Sequence, residues 1–136
     1  MERSSELRDV LLKFYEALSK GDLSVFDRHF STAADVRGIG TDPDEWWSGP
    51  RLVEVWKEQV AAMGGRMPLE AGDAEAFIDG DVGWVADRPS LDTGDGNRLT
   101  IRYTAVFHKE GGEWKLVQSH GSIGIPNEES IGELPT

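Results

Sequence analysis

Two long segments with the alternating pattern of β-strands lie on either side of a glycine turn in the last third of the chain. They run over about residues 98–109 and 113–125, with Gly111 and Gly112 between them. This arrangement predicts a β-hairpin. One face of its first strand carries a purely apolar and aromatic series: Leu99, Ile101, Tyr103, Ala105 and Phe107. Val106 lies on the other face, so both faces of the hairpin must be covered.

Helices are predicted before the strands. Apolar residues recur at three- and four-residue steps over about residues 5–19, with Ser4 or Ser5 as the N-cap and Gly21 just past the end. Similar patterns predict helices over about 23–30 and 51–63, with a short strand over 36–39 between them, and further strands over about 69–78 and 82–88. Helices followed by a meander of strands favour an α+β fold, with the helices on one face of a curved antiparallel sheet. A partner subunit is the simplest cover for the other face, so we expect a homodimer formed through the sheet.

Composition excludes several classes of protein. The chain has 14 Lys and Arg residues against 25 Asp and Glu, a net charge of -11, and no local basic stripe. Nucleic-acid binding is therefore not expected. The absence of cysteine excludes disulfides and thiolate chemistry. No segment has the pattern of a membrane span or a signal peptide, so we expect a cytoplasmic protein. The length of 136 residues suits a single domain, with about residues 126–136 as a polar tail.

Motifs at both ends of the chain resemble one superfamily. The first is the helix end Tyr15-Glu16-Ala17-Leu18-Ser19-Lys20-Gly21-Asp22-Leu23, followed by Phe30 and a short strand. The second is Thr104-x-Val106-x-His108, the Gly-Gly turn, Trp114-x-Leu116-Val117 and His120-x-Ser122. Together they resemble the nuclear transport factor 2-like superfamily, in particular its polyketide cyclase (SnoaL)-like branch.

The closing hairpin is also similar to the association domain of calcium/calmodulin-dependent protein kinases. The resemblance implies a single SnoaL-like domain over residues 1–136. It also implies a cone-shaped, curved antiparallel sheet with the N-terminal helices packed on its concave face, a cystatin-like roll. Because this fold serves enzymes, transport adaptors and assembly domains, the resemblance indicates a fold rather than an activity.

Ketosteroid isomerases of this fold offer a test of one activity. They use an Asp as the general base, and a Tyr and a protonated Asp donate hydrogen bonds to the developing oxyanion. Aligned through the resemblance, the tyrosine position falls on Phe14, the base on Gly38 and the second aspartate on Thr104. Phe and Gly cannot transfer a proton, so this chemistry is disfavoured. A shift of one residue would bring Tyr15 into the tyrosine position.

Polar residues on the hairpin are candidates for a site. If Thr104 points into the cone, as the resemblance implies, strand parity places a polar set there with it: Arg102, Gln118, His120 and Ser122. If the protein is an enzyme, His120 is the expected general acid/base, and Arg102 would hold a carboxylate or enolate oxygen. The same residues also fit ligand binding without chemistry, or a buried polar network that satisfies itself or serves a dimer interface.

Aromatic residues are candidates for the wall of a pocket. Trp56 lies on the helix face expected to pack on the sheet, and Trp84 lies in the middle of a strand. With Phe14 and Tyr15 they predict an apolar pocket, although core packing explains Trp56 equally well. The pair Trp46 and Trp47 in an acidic loop is expected to cap the open end of the cone or to dock on a second subunit.

No metal or cofactor site is predicted. His29, His108 and His120 lack metal-ligand spacing, and the acidic residues of the 42–45 loop lack the rest of a calcium loop. Gly38-x-Gly40 is too short for a dinucleotide fingerprint. We therefore expect a protein that binds a compact apolar molecule or carboxylate in a conical pocket, without a cofactor. The alternative is a homo-oligomeric assembly or interaction module without small-molecule chemistry.

Overall fold

The computed structural model describes all 136 residues of the chain. Three α-helices are present: α1 (Ser5–Lys20), α2 (Ser24–His29) and α3 (Arg51–Ala62). Ten strands follow in chain order: β1 (Glu2–Arg3), β2 (Arg37–Ile39), β3 (Trp46–Ser48), β4 (Leu69–Glu70), β5 (Glu75–Asp79), β6 (Val82–Asp87), β7 (Ser90–Asp92), β8 (Arg98–Thr100), β9 (Arg102–Glu110) and β10 (Glu113–Ser122). None of the helices is long and apolar enough to cross a bilayer.

The strands form two sheets. Seven of them make a curved sheet in the order β1-β5-β6-β9-β10-β2-β3, which is antiparallel except where β2 runs parallel to β10. The other three make a small sheet in the order β4-β7-β8. Two strands predicted as continuous, over residues 69–78 and 98–109, are each divided between these sheets. The division places a second, smaller wall beside the concave face of the large sheet.

Helix α1 lies on the concave face because one of its stripes is apolar. Its buried residues follow helical spacing: Leu7, Leu11, Phe14, Tyr15 and Leu18. Burial of a Leu or Phe side chain contributes about 1.5–3 kcal/mol, so this stripe is enough to fix the helix on the sheet. The Ser4 hydroxyl accepts a hydrogen bond from the Leu7 amide, and Gly21 ends the helix in the left-handed conformation with φ of 75°.

Four aromatic rings join the three helices. Phe14 of α1 lies 5.8 Å from Phe26, 5.6 Å from Phe30 and 5.5 Å from Trp56 between ring centroids. Edge-on and tilted contacts at these distances stabilise the packing of the helices beyond the burial of apolar surface.

The fold is of the expected α+β class, with helices packed on the concave face of a curved, unclosed sheet.

A β-bulge inverts the parity of β10. Leu116 pairs with Phe107, but the next pair is Gln118 with Val106, so Val117 is an extra residue. Trp114 and Leu116 are buried on the inner face before the bulge. Beyond it, the inner face continues through Ser119 and Gly121 rather than through the even-numbered residues.

Candidate functional site

A cavity lies between the helices and the concave face of the large sheet. Its volume is about 350 Å³, and 15 of its 22 lining residues are hydrophobic. Small-molecule sites have volumes of about 300–1,000 Å³, so this cavity suits a compact ligand. It is lined by Phe14, Tyr15, Ile39, Gly40, Thr41, Glu45, Trp47, Leu52, Trp56, Gln59, Ala62, Met63, Met67, Leu69, Pro89, Leu91, Leu99, Ile101, Tyr103, Ser119, Gly121 and Ile123.

Each wall of the cavity comes from a different element. Helices α1 and α3 supply aromatic and aliphatic side chains on one side, including Phe14 and Trp56. The large sheet supplies Trp47 from β3, Tyr103 from β9 and the small residues of β10. A third wall, which was not predicted from the sequence, is formed by the leucines of the small sheet: Leu69 of β4, Leu91 of β7 and Leu99 of β8. The cavity therefore depends on the small sheet as well as on the large one.

Polar groups in the cavity fall into two sets. At its edge, the Glu45 carboxylate accepts hydrogen bonds from Gln59 Nε2 and from the Asp42 amide, both at 2.9 Å. Deeper in the domain, the lining residues that carry a hydroxyl group are Tyr15, Tyr103 and Ser119. No Lys, Arg or His side chain lines the cavity, and Glu45 is its one acidic lining residue.

The Tyr15 hydroxyl is committed to a buried carboxylate. Tyr15 Oη donates a hydrogen bond of 2.9 Å to Oδ2 of Asp87, a residue only 7% exposed at the end of β6. The same carboxylate accepts bonds from the backbone amides of Gly72, Asp73 and Arg88. Burial, and then the charge of Asp87, raise the pKa of Tyr15 far above its ordinary value. Tyr15 therefore stays protonated and anchors α1 to the sheet.

The Tyr103 hydroxyl has no such partner. The residue is 6% exposed, and its Oη makes no hydrogen bond to any protein group. Burial raises the pKa of Tyr103 above its ordinary value, and the neighbouring Ser119 hydroxyl acts in the opposite direction. The two hydroxyls do not meet the geometry of a hydrogen bond, and the Tyr103 oxygen is enclosed by the surrounding protein atoms.

The polar residues predicted to line the cone lie on the outer face of the sheet. His120 pairs with Thr104 and Ser122 with Arg102, so these residues do share one face together with Gln118. However, Arg102, Thr104, Gln118 and His120 are exposed, and none of the five lines the cavity. The prediction that strand parity places His120 and Arg102 inside the cone is wrong. The more apolar face of β9 is buried instead, and the bulge at Val117 places His120 outside.

The aromatic candidates divide between the two faces. Phe14, Tyr15, Trp47 and Trp56 line the cavity, whereas Trp84 is 37% exposed on the outer face and does not. Trp46 and Trp47 point to opposite sides of β3, because neighbouring residues of a strand alternate. Trp46 is exposed, with the Arg37 guanidinium 5.1 Å from the centre of its ring.

The ketosteroid isomerase positions also shift by one residue. Thr104 faces outward, so its neighbour Tyr103 occupies the inner position on β9. A side chain at Gly38 would overlap the buried Leu52 of α3, so Leu52 would have to move before an acidic base could stand there. The sequence signal for Tyr103 was its place in the continuous apolar face of the first hairpin strand. Ser119 and Gly121 had no comparable signal, because their orientation depends on the bulge.

Comparisons with known proteins agree with this architecture. The family model of the SnoaL-like domain matches residues 7–126. No curated protein sequence matches the chain. Among solved structures, the chain is similar to an NTF2-like protein of unknown function from Pseudomonas putida, with a TM-score of 0.79 and 17% identity over 97% of this chain and 94% of the other.

Two further structures share the fold. One is a candidate dehydratase of the NTF2-like family from Streptomyces avermitilis, with a TM-score of 0.74 and 20% identity over 88% of this chain and 94% of the other. The second is a candidate calcium/calmodulin-dependent protein kinase type II association domain from Thiobacillus denitrificans, with a TM-score of 0.71 and 21% identity over 92% and 98%. At such identities the similarity concerns the fold alone. The match of the family model over residues 7–126 places the chain in the SnoaL-like domain family.

Proposed function

We propose that this protein binds a small, mainly apolar organic molecule in the cavity between α1, α3 and the two sheets. The observation that carries the proposal is an aromatic-lined cavity of about 350 Å³ within the folded domain. Close packing is the rule in protein interiors, so a space of this size with an apolar lining favours a ligand. No basic residue lines the cavity, and Arg102, the residue expected to hold a carboxylate, lies outside it. The lining therefore argues against a carboxylate ligand.

Binding is the function proposed, without a reaction. The residues expected to perform acid and base chemistry lie on the outer face of the sheet. Within the cavity, Glu45 is engaged by Gln59, and Tyr15 is held by Asp87. The remaining interior groups are hydroxyls, which suit recognition of a ligand better than proton transfer at neutral pH.

A cavity-blocking substitution tests the proposal. Gly121 lines the cavity, and a Cβ there would meet only Ile101 and Tyr103 at ordinary contact distances of 3.8 and 3.9 Å. Gly121→Phe should therefore fill the cavity and abolish binding of neutral bicyclic probes such as tetralin and α-tetralone. Isothermal titration calorimetry measures the affinity, and thermal unfolding should show ligand stabilisation in the wild type only.

The matched control adds the same side chain outside the cavity. Gly124 is exposed and does not line the cavity, so Gly124→Phe should bind the probes as the wild type does. Equal binding by the wild type and the folded Gly121→Phe variant would show that the probes bind elsewhere. The absence of any binding across neutral one- to three-ring compounds would contradict the proposal.

A second proposal concerns the outer face of the large sheet, where we propose that two copies of this chain associate. Trp84 stacks on Phe77 with ring centroids 4.7 Å apart, and pairs with Val106 on its other side. Val82 is 49% exposed beside them. The sheet centre therefore presents an apolar patch to solvent, defined by Phe77, Val82, Trp84 and Val106, of the kind that interfaces use.

Charge favours a second copy as the occupant of this face. The chain carries a net charge of -11, so two copies repel each other over most of their surfaces. The outward positions at the centre of β6, β9 and β10 contain no Asp or Glu, and the nearest carboxylates on this face are Glu75 and Asp79 at the two ends of β5. A contact centred on Trp84 and Val106 places no carboxylate at its middle, which lowers like-charge repulsion between two copies.

Trp84→Glu should convert a dimer into a monomer, because it places a carboxylate in the centre of each facing surface. Sedimentation velocity over a range of concentrations measures the change, with circular dichroism to confirm folding. Ile131→Glu is the matched control, since Ile131 is 68% exposed outside the sheet, and it should leave the dimer intact. A wild-type protein that stays monomeric at all concentrations would contradict this second proposal.

A further inference from the structure

The Glu45 carboxylate lies at the edge of the cavity without a cation beside it. The residue is half-buried directly before β3, and it forms no ion pair with any Lys, Arg or His of the chain. It is also the one acidic residue of a lining that contains no basic residue. Removing a carboxylate from water is costly unless a cation or several donors accompany it. The lining therefore leaves a place for a positive group.

The loop before β3 and helix α3 hold this carboxylate in one position. Its Oε1 accepts a hydrogen bond of 2.9 Å from the Asp42 amide, and its Oε2 accepts one of 2.9 Å from Gln59 Nε2. Gly40 makes room for it, since a Cβ there would lie only 2.5 Å from Glu45 Oε1. The Gly40 amide also closes the loop by donating to the Glu45 carbonyl oxygen at 3.0 Å. A group fixed in this way can orient a ligand without ordering the protein further.

The carboxylate keeps free capacity to accept hydrogen bonds. Besides the two bonds from Asp42 and Gln59, it receives only a long contact of 3.5 Å from the Thr41 hydroxyl. A carboxylate offers about four lone-pair positions. An ammonium group supplies three donors and no acceptor, whereas a ligand carboxylate or carbonyl would bring another acceptor to the same place. The free positions therefore suit an ammonium group.

Aromatic residues beside Glu45 favour the same kind of ligand. Trp47 follows Glu45 by two residues, so the two side chains project to the same side of the chain. Trp56 lies one turn before Gln59 on the same face of α3. These four residues line the cavity together. Indole rings attract cations, and a net charge of -11 raises the concentration of cations around the protein.

We infer that the cavity selects ring compounds that carry an ammonium group, and that the Glu45 carboxylate accepts hydrogen bonds from this group at the edge of the cavity. The inference rests on the proposed function, because it names the ligand class of the same cavity. The apolar lining holds the rings, while the charged end of the ligand stays beside Glu45, where it loses less hydration than in the interior. A hydrocarbon of the same shape leaves the carboxylate with its present partners.

Three ligands with one ring skeleton and one variant test the inference. At neutral pH, β-aminotetralin carries an ammonium group, tetralin is uncharged, and the β-carboxylate of tetralin is negative. The wild type should bind the amine about tenfold more tightly than tetralin, the effect of one net hydrogen bond to a charged group, and should bind the carboxylate least tightly. Glu45→Gln should weaken amine binding about tenfold and leave tetralin binding unchanged, as measured by isothermal titration calorimetry.

Asp44→Asn is the matched control for the charge. It removes one negative charge from the same loop at an exposed residue that does not line the cavity, so it should bind the amine as the wild type does. An equal loss of amine binding in Asp44→Asn and Glu45→Gln would overturn the inference, since overall charge would then explain the preference. An equal loss of amine and tetralin in Glu45→Gln would also overturn it, since that indicates a role in the loop alone.

Measurements on the wild type cover the case in which Glu45→Gln does not fold. Equal affinity for the amine and tetralin would overturn the role of Glu45 while leaving the cavity as a binding site. Failure of both ligands to bind would overturn the binding proposal, and this inference with it. In a crystal structure of the amine complex, the ligand nitrogen should lie about 2.7–2.9 Å from a carboxylate oxygen of Glu45. A nitrogen directed away from Glu45 would overturn the inference, whatever the affinity.

Discussion

Replacing Asp87 with alanine is expected to lower the free energy of unfolding by about 4 kcal/mol, about 1 kcal/mol for each donor left without its acceptor. The donors are the Tyr15 hydroxyl and the backbone amides of Gly72, Asp73 and Arg88. This loss is a large fraction of the total stability of a natural domain, which is only about 5–15 kcal/mol. Equilibrium unfolding in urea, followed by circular dichroism, measures it.

Asparagine at the same position is the matched control. Its side-chain oxygen can keep the three backbone bonds that Asp87 Oδ1 accepts, and its amide can turn toward Tyr15 Oη, which then accepts instead of donating. Asp87→Asn should therefore lower the free energy of unfolding by less than half as much as Asp87→Ala does. Tyr15→Phe removes a single bond and should cost about 1 kcal/mol. If Asp87→Ala lowers the free energy of unfolding by less than about 1 kcal/mol, the hydrogen bonds to this carboxylate do not stabilise the packing of α1 on the sheet.

Raising the pH above 10 is expected to unfold the protein steeply, because both of its tyrosines are buried with raised pKa values. In the unfolded chain each tyrosine loses its proton near its ordinary pKa of 10.0. In the folded protein both remain protonated at that pH, so ionisation favours the unfolded state. The stabilisation is fully present below pH 10 and is lost above it, by up to about 2.7 kcal/mol per pH unit for two tyrosines.

The ultraviolet absorbance of tyrosinate measures this behaviour directly. No tyrosinate should form until unfolding begins, and both tyrosines should then ionise together with the loss of the circular dichroism signal. Tyr103→Phe should remove one tyrosine's share of the pH dependence, while the contribution of lysine residues stays the same in both proteins. Ionisation of half of the tyrosine near pH 10 in a protein that remains folded would contradict the burial of these hydroxyls.

Local signals predicted the helices and the closing hairpin correctly. The apolar stripe of α1, the Ser4 cap and the Gly21 end all follow from residues that are close in the sequence. The Gly111-Gly112 turn likewise brings neighbouring segments together. The resemblance to the SnoaL-like branch implied the curved sheet, which the structure shows. The family match over residues 7–126 confirms the resemblance.

The cavity wall was harder to predict because it depends on pairings between distant strands. The bulge at Val117 reverses which residues of β10 face inward, and no local pattern marks it. The separation of β4, β7 and β8 into a small sheet is likewise a tertiary effect. For β9, a choice of the more apolar face would have selected Tyr103 rather than Thr104. The amphipathic rule was therefore a better guide than the motif alignment.

The most direct test of ligand binding in the cavity is a crystal structure grown with bromine-substituted α-tetralone, because anomalous scattering locates the bromine without reference to a model. We expect one bromine peak inside the cavity, among the side chains of Trp47, Trp56 and Phe14. A bromine peak only on the outer surface, with the cavity closed by its own side chains, would contradict the account.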